Sequence, residues 1–386
     1  MKRSGIAVAA LLVLGLTACG GATSGAGPAE GAVKVGLVTS TSGLVAGYGQ
    51  QFTEGFKAGL DYATKGTGKV GDTAVEVTYH DDASDPAKAT AVATDLIGKG
   101  YKILAGTVSS GVAMQLAPLA AQNKVLYISG AAAADTVTGI NAYTFRSGRQ
   151  TWQDVRVAEA VVDGVQGKKV VVFAQDYAFG QANVAAVQAV LGEAGGATVT
   201  PVLVPLKTAD FTPFARQIVD AKPDLLFVAW AGDTAANMWQ TLAQQDVFQH
   251  TKVVTGLADR ATFSSFGPAG DKINFLAHYF AEATDNEPAK AMATTLGKKP
   301  DIFHTDGFTA AQMLVRAIEQ GDDVDKMISG LEGWTFLGPK GEMTVRAEDH
   351  ALLQPMFQAT LSGDVPQLTG TLQPDQAAPP TTPIKR

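Results

Sequence analysis

The chain has 386 residues and a formal net charge of -7, with 46% of its residues apolar and 17% charged. That length exceeds one small core and predicts two domains of ordinary size, and so large an apolar fraction excludes a disordered chain. The acidic balance, without any basic run, excludes a nucleic-acid partner, because neutralising phosphates requires a Lys/Arg surplus on some face.

Lys2 and Arg3 precede an apolar stretch from Ile6 to Leu16. This stretch is far shorter than the ~20 residues of a membrane-spanning helix and reads as a secretory signal. Leu16-Thr17-Ala18-Cys19 follows, and it resembles the lipobox of bacterial lipoproteins, in which cleavage before the cysteine accompanies its lipidation. The expectation is a signal peptide over 1–18, a lipid on Cys19 and a flexible Gly/Ala/Ser/Thr-rich tether over 19–32. Cys19 is the only cysteine, so the exported domain has no disulfide and no thiolate for catalysis or metal binding.

From Val33 onward, short β-branched runs alternate with longer amphipathic stretches, the mark of βαβ units on a parallel sheet. A strand over Val33 to Thr39 leads to a helix from about Tyr48 to Ala63, with Phe52, Phe56 and Leu60 on one face. The strand Val75 to Tyr79 ends at His80-Asp81-Asp82, and Asp85 then caps a helix with Pro86 at its first position. Strand Ile103 to Ala105, helix Gly111 to Gln122 and strand Val125 to Ile128 complete the first series.

A second series begins after Arg146. Its predicted helices are Trp152 to Val162, Gln181 to Glu193, Thr212 to Ala221 and Thr234 to Gln244. Its predicted strands are Lys169 to Ala174, Val199 to Val204, Leu225 to Trp230 and Val253 to Gly256. Beyond it come a helix over Thr305 to Gln320, another near Lys326 to Leu331, and a hairpin pairing Thr335 to Phe336 with Glu342 to Val345. A last strand covers Met356 to Leu361.

Extra elements after two α/β lobes predict that the chain returns to its first lobe. The expected fold class is therefore α/β, with two doubly wound open-sheet lobes joined by a multi-strand hinge. The first lobe takes residues 33–148 with about 277–350, the second 149–276 with about 351–370, and a Pro/Thr-rich tail over 371–386 is expected to be disordered.

Ser109 and Ser110 stand at a strand's end and open a helix. Their hydroxyls, together with the free N–H groups at the positive end of the helix dipole, form a natural seat for a carboxylate, on the edge of an open sheet where ligands bind. A plain N-cap is the alternative reading of the same pair.

In order and spacing the segments Val35-Gly36-Leu37, Ser40-Thr41-Ser42-Gly43, Asp81-Asp82-Ala83-Ser84-Asp85-Pro86, Gly106-Thr107-Val108-Ser109-Ser110-Gly111, Tyr127-Ile128-Ser129-Gly130-Ala131 and Asp176-Tyr177-Ala178-Phe179-Gly180 form a set. That set resembles the leucine/isoleucine/valine-binding family of ABC-transporter receptors, which have the type I periplasmic-binding fold. The resemblance implies that Ser110, with Ser109 and Gly111, holds a ligand carboxylate. It implies that the loop with Ala131, Ala132 and Ala133 presents backbone atoms to the ligand, and that Phe179 packs on it in place of a family tyrosine. Trp230 at a strand end and Tyr48 are further candidate contacts, for which core packing is the alternative.

Two departures bear on the ligand. The amino-acid binders have a threonine hydroxyl about where Ala133 stands. They also carry a carboxylate, as counter-ion to the ligand ammonium, where this chain has Gly256-Leu257-Ala258, and the nearest acid is Asp259. An ammonium desolvated without a partner is costly, which admits an uncharged or anionic ligand.

No Gly-x-Gly-x-x-Gly follows the first strand, and the phosphate loop, the Gly-x-Ser-x-Gly elbow and the His-Glu-x-x-His zinc motif are all missing. No catalytic residue, cofactor or metal is expected; a capped helix after a strand accounts for the cluster His80, Asp81, Asp82 and Asp85. The resemblance implies a monomeric extracytoplasmic binding protein, held by lipid on Cys19 to the outer face of the cell membrane. Its partners are then a small amino-acid-like, carboxylate or amide solute and an ABC permease. The alternative is a sensory module that presents the same clamp to a signalling partner.

Overall fold

A computed structural model describes residues 31–162 and 164–385, so the expectations for residues 1–18, for Cys19 and for most of the 19–32 tether fall outside the described residues. In chain order the first lobe contains β1 (Val33–Thr39), α1 (Ala46–Ala63), β2 (Lys69–Val70), β3 (Thr73–Asp81), α2 (Pro86–Gly98), β4 (Ile103–Ala105), α3 (Ser110–Gln122), β5 (Leu126–Ser129) and β6 (Thr144–Arg146). Its sheet runs β2-β3-β1-β4-β5-β6, parallel except for the β2–β3 hairpin. β4 and β5 are buried along their whole length, because helices cover both faces of a parallel sheet.

The second lobe contains α4 (Thr151–Val161), β7 (Lys169–Gln175), α5 (Ala178–Val187), β8 (Thr198–Val204), α6 (Thr212–Ala221), β9 (Leu225–Ala229), α7 (Ala235–Gln244), the short α8 (Val247–His250), β10 (Lys252–Gly256) and β11 (Ile273–Ala277). The chain then crosses back through α9 (Glu287–Leu296), α10 (His304–Ile318), α11 (Val324–Leu331), β12 (Thr335–Gly338), β13 (Gly341–Val345) and β14 (Leu352–Leu353). It re-enters the second lobe with β15 (Met356–Ser362) and β16 (Val365–Leu372), which extend that sheet antiparallel to give the order β16-β15-β11-β10-β9-β7-β8.

In each lobe the strand order reverses beside the first strand, between β1 and β4 in one and between β7 and β9 in the other. Ligands of open α/β sheets sit at such a switch point, outside the carboxyl ends of the strands. Three segments link the lobes, residues 147–150, 278–286 and 354–355.

Several elements were not foreseen. β6, β11 and β14 are short runs whose strand character comes from the neighbours they pair with. β16 is a largely exposed edge strand carrying Pro366 and Gly370, and its pairing with β15 supplies what its composition lacks. α9 opens on Asn286, whose side chain caps the Ala289 N–H, with Pro288 in its first turn.

The terminal segment corrects a reading made from composition alone. Instead of lacking structure, residues 373–385 run back to the first lobe: Ala377 is buried against the second-lobe core, Arg346 Nη1 donates to Pro379 O at 2.8 Å, and the Thr382 N–H donates to Asp349 Oδ2 at 3.0 Å. Proline lacks an N–H but keeps a carbonyl acceptor, and the half-buried Arg346 uses it.

Candidate functional site

Between the lobes lies a cavity of about 280 Å³, close to the lower end of the ~300–1,000 Å³ range of small-molecule pockets. Its first-lobe wall is built around α3. Ser109 is the N-cap residue in extended conformation, yet its side chain makes no capping bond, and the Ser110 hydroxyl accepts from the Ala134 N–H at 3.3 Å. The loops beneath are fastened by buried Asp82, which accepts from Ser40 Oγ at 2.6 Å and from the Ser84 N–H at 2.8 Å, and also binds the Thr107 hydroxyl. The start of α3, with its positive dipole end, is thus held rigidly against the cavity.

Aromatic rings make the opposite wall. Trp230 packs on Phe173 at 5.1 Å and edge-on to Phe211 at 5.3 Å, and its indole N–H donates to Thr234 Oγ1 at 3.0 Å. Tyr177 and Phe179 stand side by side at the start of α5, and on the first-lobe side Tyr48 of α1 lies tilted against Phe303 at 4.3 Å. Burial pushes the Tyr48 and Tyr177 phenols far above their ordinary range, so both stay neutral. The lobes meet across the cleft where Tyr48 lies against the Gly232 backbone and Leu44 packs on Gly232.

The floor is charged. Arg149 on the first crossing donates through Nε to Asp154 Oδ2 at 3.1 Å and through Nη1 to Ala131 O at 3.2 Å. His278 on the second crossing donates through Nε2 to Ile302 O at 2.9 Å, and burial holds its pKa well below 6.5, so the ring is neutral. Behind them Lys340 lies 3.5 Å from Asp306, both out of water. Burial raises Asp306 and lowers Lys340 to about 8, so for each group desolvation outweighs the pairing.

Of the residues expected from sequence, Tyr48, Ser109, Ser110, Gly111, Ala131, Ala133, Phe179 and Trp230 line this cavity. Ala132 does not: its carbonyl accepts from Arg146 Nη2 at 2.7 Å and its methyl packs in a small cluster behind the loop. Asp259 does not either, because its carboxylate caps the following turn through the Thr262 N–H at 3.1 Å. Sequence reasoning missed Arg149, Asp154 and His278, which have no motif; Arg149 and His278 reach the cleft from the crossings and Asp154 from the first turn of α4. Among the described residues no group of His, Cys, Asp and Glu is arranged to hold a metal. Asp81 and Asp82 fasten loops, Asp85 caps α2, and His80 bonds to Thr78 on its own strand.

Comparison with known proteins agrees with this geometry. The family described as periplasmic binding protein matches residues 32–365. Leu/Ile/Val-binding protein homolog 6 of Brucella melitensis is 26% identical over 342 residues, covering 84% of this chain and 86% of that protein. Among solved structures, an ABC-type branched-chain amino acid transporter protein of Rhodopseudomonas palustris has a TM-score of 0.73 at 30% identity, covering 92% of this chain and 99% of that one. A solute-binding protein of an ABC transporter from the same organism, in complex with 4-hydroxybenzoate, has a TM-score of 0.81 at 25% identity, covering 89% and 97%. Both lobes, their switch points and the cleft are thus those of a solute receptor. The chain belongs to the periplasmic binding protein family, with the Leu/Ile/Val-binding proteins of ABC transporters, and is an extracytoplasmic binding protein, not an enzyme.

Proposed function

We propose that this protein is the lipid-anchored receptor of an ABC importer and that it closes around one small amino-acid-like, carboxylate or amide solute for delivery to a permease. The observation that carries this reading is the cavity itself, which is lined by the start of α3, by Arg149 of the first crossing and by aromatic rings from both lobes. Such a site orients a polar head and shelters an apolar body. The 4-hydroxybenzoate complex of the similar Rhodopseudomonas palustris protein is in keeping with a ligand of that kind. Contacts such as Tyr48 with Gly232 exist only when the lobes are together, so a ligand touching both lobes favours the closed state by its differential affinity.

The test is a thermal-shift screen over carboxylates, amides and branched-chain amino acids, followed by uptake measurements in a deletion strain. A true ligand raises the melting temperature by mass action, and deletion removes its uptake. If no solute of these classes stabilises the protein, the reading of the cavity fails. Cys19→Ala is expected to abolish incorporation of radiolabelled fatty acid; unchanged labelling would refute the anchor.

A further inference from the structure

Arg149 is 8% exposed and lines the cavity. Its Nε and Nη1 are engaged by Asp154 and Ala131, whereas Nη2 has no hydrogen-bond partner among the described residues. A buried guanidinium with donors to spare calls for an acceptor, and a planar carboxylate matches its fork. Arg149 holds the carbonyl of Ala131 and the Ser110 hydroxyl accepts from the Ala134 N–H, so guanidinium and serine are both tied to the loop after β5 and line the same cavity.

The same cavity is unsuited to an ammonium group. Asp154 is the only carboxylate among the lining residues, and Arg149 already balances it. Asp259 caps a turn and Asp301 accepts from the Arg260 and Ile302 N–H groups, each at 2.9 Å; the charge of both reaches Tyr48, but both stand outside the lining. An amino group placed in the cavity would be desolvated beside an arginine with no lining carboxylate left to pair it. What remains of the lining is chiefly apolar, including Val108, Ala133, Phe179, Trp230 and Leu257.

We propose that Arg149 is the anion-recognising, specificity-determining residue of this receptor, and that its ligand is a small apolar monocarboxylate lacking an α-amino group. The inference rests on the cavity being the solute site. Isothermal titration of the full chain with matched pairs tests it: 4-methylpentanoate against leucine, and 3-phenylpropanoate against phenylalanine, each pair differing only by the amino group. The acid of at least one pair is expected to bind, with its amino acid weaker by roughly 100-fold. Arg149→Met is expected to weaken the acid by roughly 100-fold, and Arg149→Lys, which keeps the charge but loses the fork, by roughly 10-fold. Since Arg149→Met leaves Asp154 unpaired, Arg149→Met/Asp154→Asn removes both charges, and circular dichroism establishes that it is folded. Leucine or phenylalanine binding as tightly as its acid overturns the inference alone and leaves the receptor reading intact, as does a folded double variant that binds the acid unimpaired. Failure of every acid, amide and amino acid to bind overturns the solute site as well.

Discussion

Lys340 and Asp306 are held together inside the hinge region, where neither reaches water. Since desolvation outweighs attraction for both, the pair is worth little as a pair but much as a match. Lys340→Met, which strands a buried carboxylate, is expected to cost about 3 kcal/mol in chemical denaturation, and Asp306→Leu/Lys340→Met to recover most of it. His278 gives a pH signature. Its folded pKa is depressed by burial while its unfolded value is 6.5, so the unfolded chain takes up the proton first and stability is lost as pH falls below 6.5. His278→Gln is expected to flatten the fall in melting temperature between about pH 6.5 and pH 5.5; an unchanged slope would remove His278 from the account. At this scale Ser109 and Ser110 were legible, because a hydroxyl pair between a strand and a helix is a local signal. Arg149 and His278 were not, since they bond to other segments: Ala131 for one, Ile302 for the other.

Among the elements, α1 and α10 approach through glycine. A Cβ on Gly55 would stand 1.9 Å from His304 O, and one on Gly307 would stand 2.0 Å from Phe52 O. Gly55→Ala therefore has to push two backbones apart, and about 3 kcal/mol of lost stability is expected in urea denaturation. The Asp85 cap is a milder case. Its Oδ1 accepts from the Ala87 and Lys88 N–H groups at 2.8 and 3.3 Å, so Asp85→Ala is expected to cost about 1 kcal/mol. The cap was readable in the sequence because Asp followed by Pro carries its mechanism in two residues. The glycine contact was not, because nothing in α1 says which helix it will meet. β16 shows the same limit: an exposed strand with a proline is recognisable only beside its partner.

For the molecule as a whole, closure and the terminal strap are the two matters that no single element decides. Gly232 has φ +81 and lies so close to Leu44 O that a Cβ would come within 2.5 Å of it. Gly232→Ala is expected to hold the lobes apart, raising the radius of gyration in X-ray scattering and weakening the ligand about tenfold; an unchanged radius would show that the lobes meet elsewhere. Residues 373–385 cross from β16 to Arg346, Asp349 and Gly139, adding a fourth connection between the lobes. Deleting 373–386 is expected to cost about 2 kcal/mol and to speed amide exchange near Gly139 and Asp349.

Local periodicity and punctuation were enough for two α/β series, a returning third segment and the strand-end serines, because these are written in neighbouring residues. Only the tertiary structure decided which charges line the cleft, where the lobes touch and that a proline-rich tail is bound. Those depend on segments far apart in the chain being brought together, and a buried charge or a glycine has meaning only once its surroundings are in place.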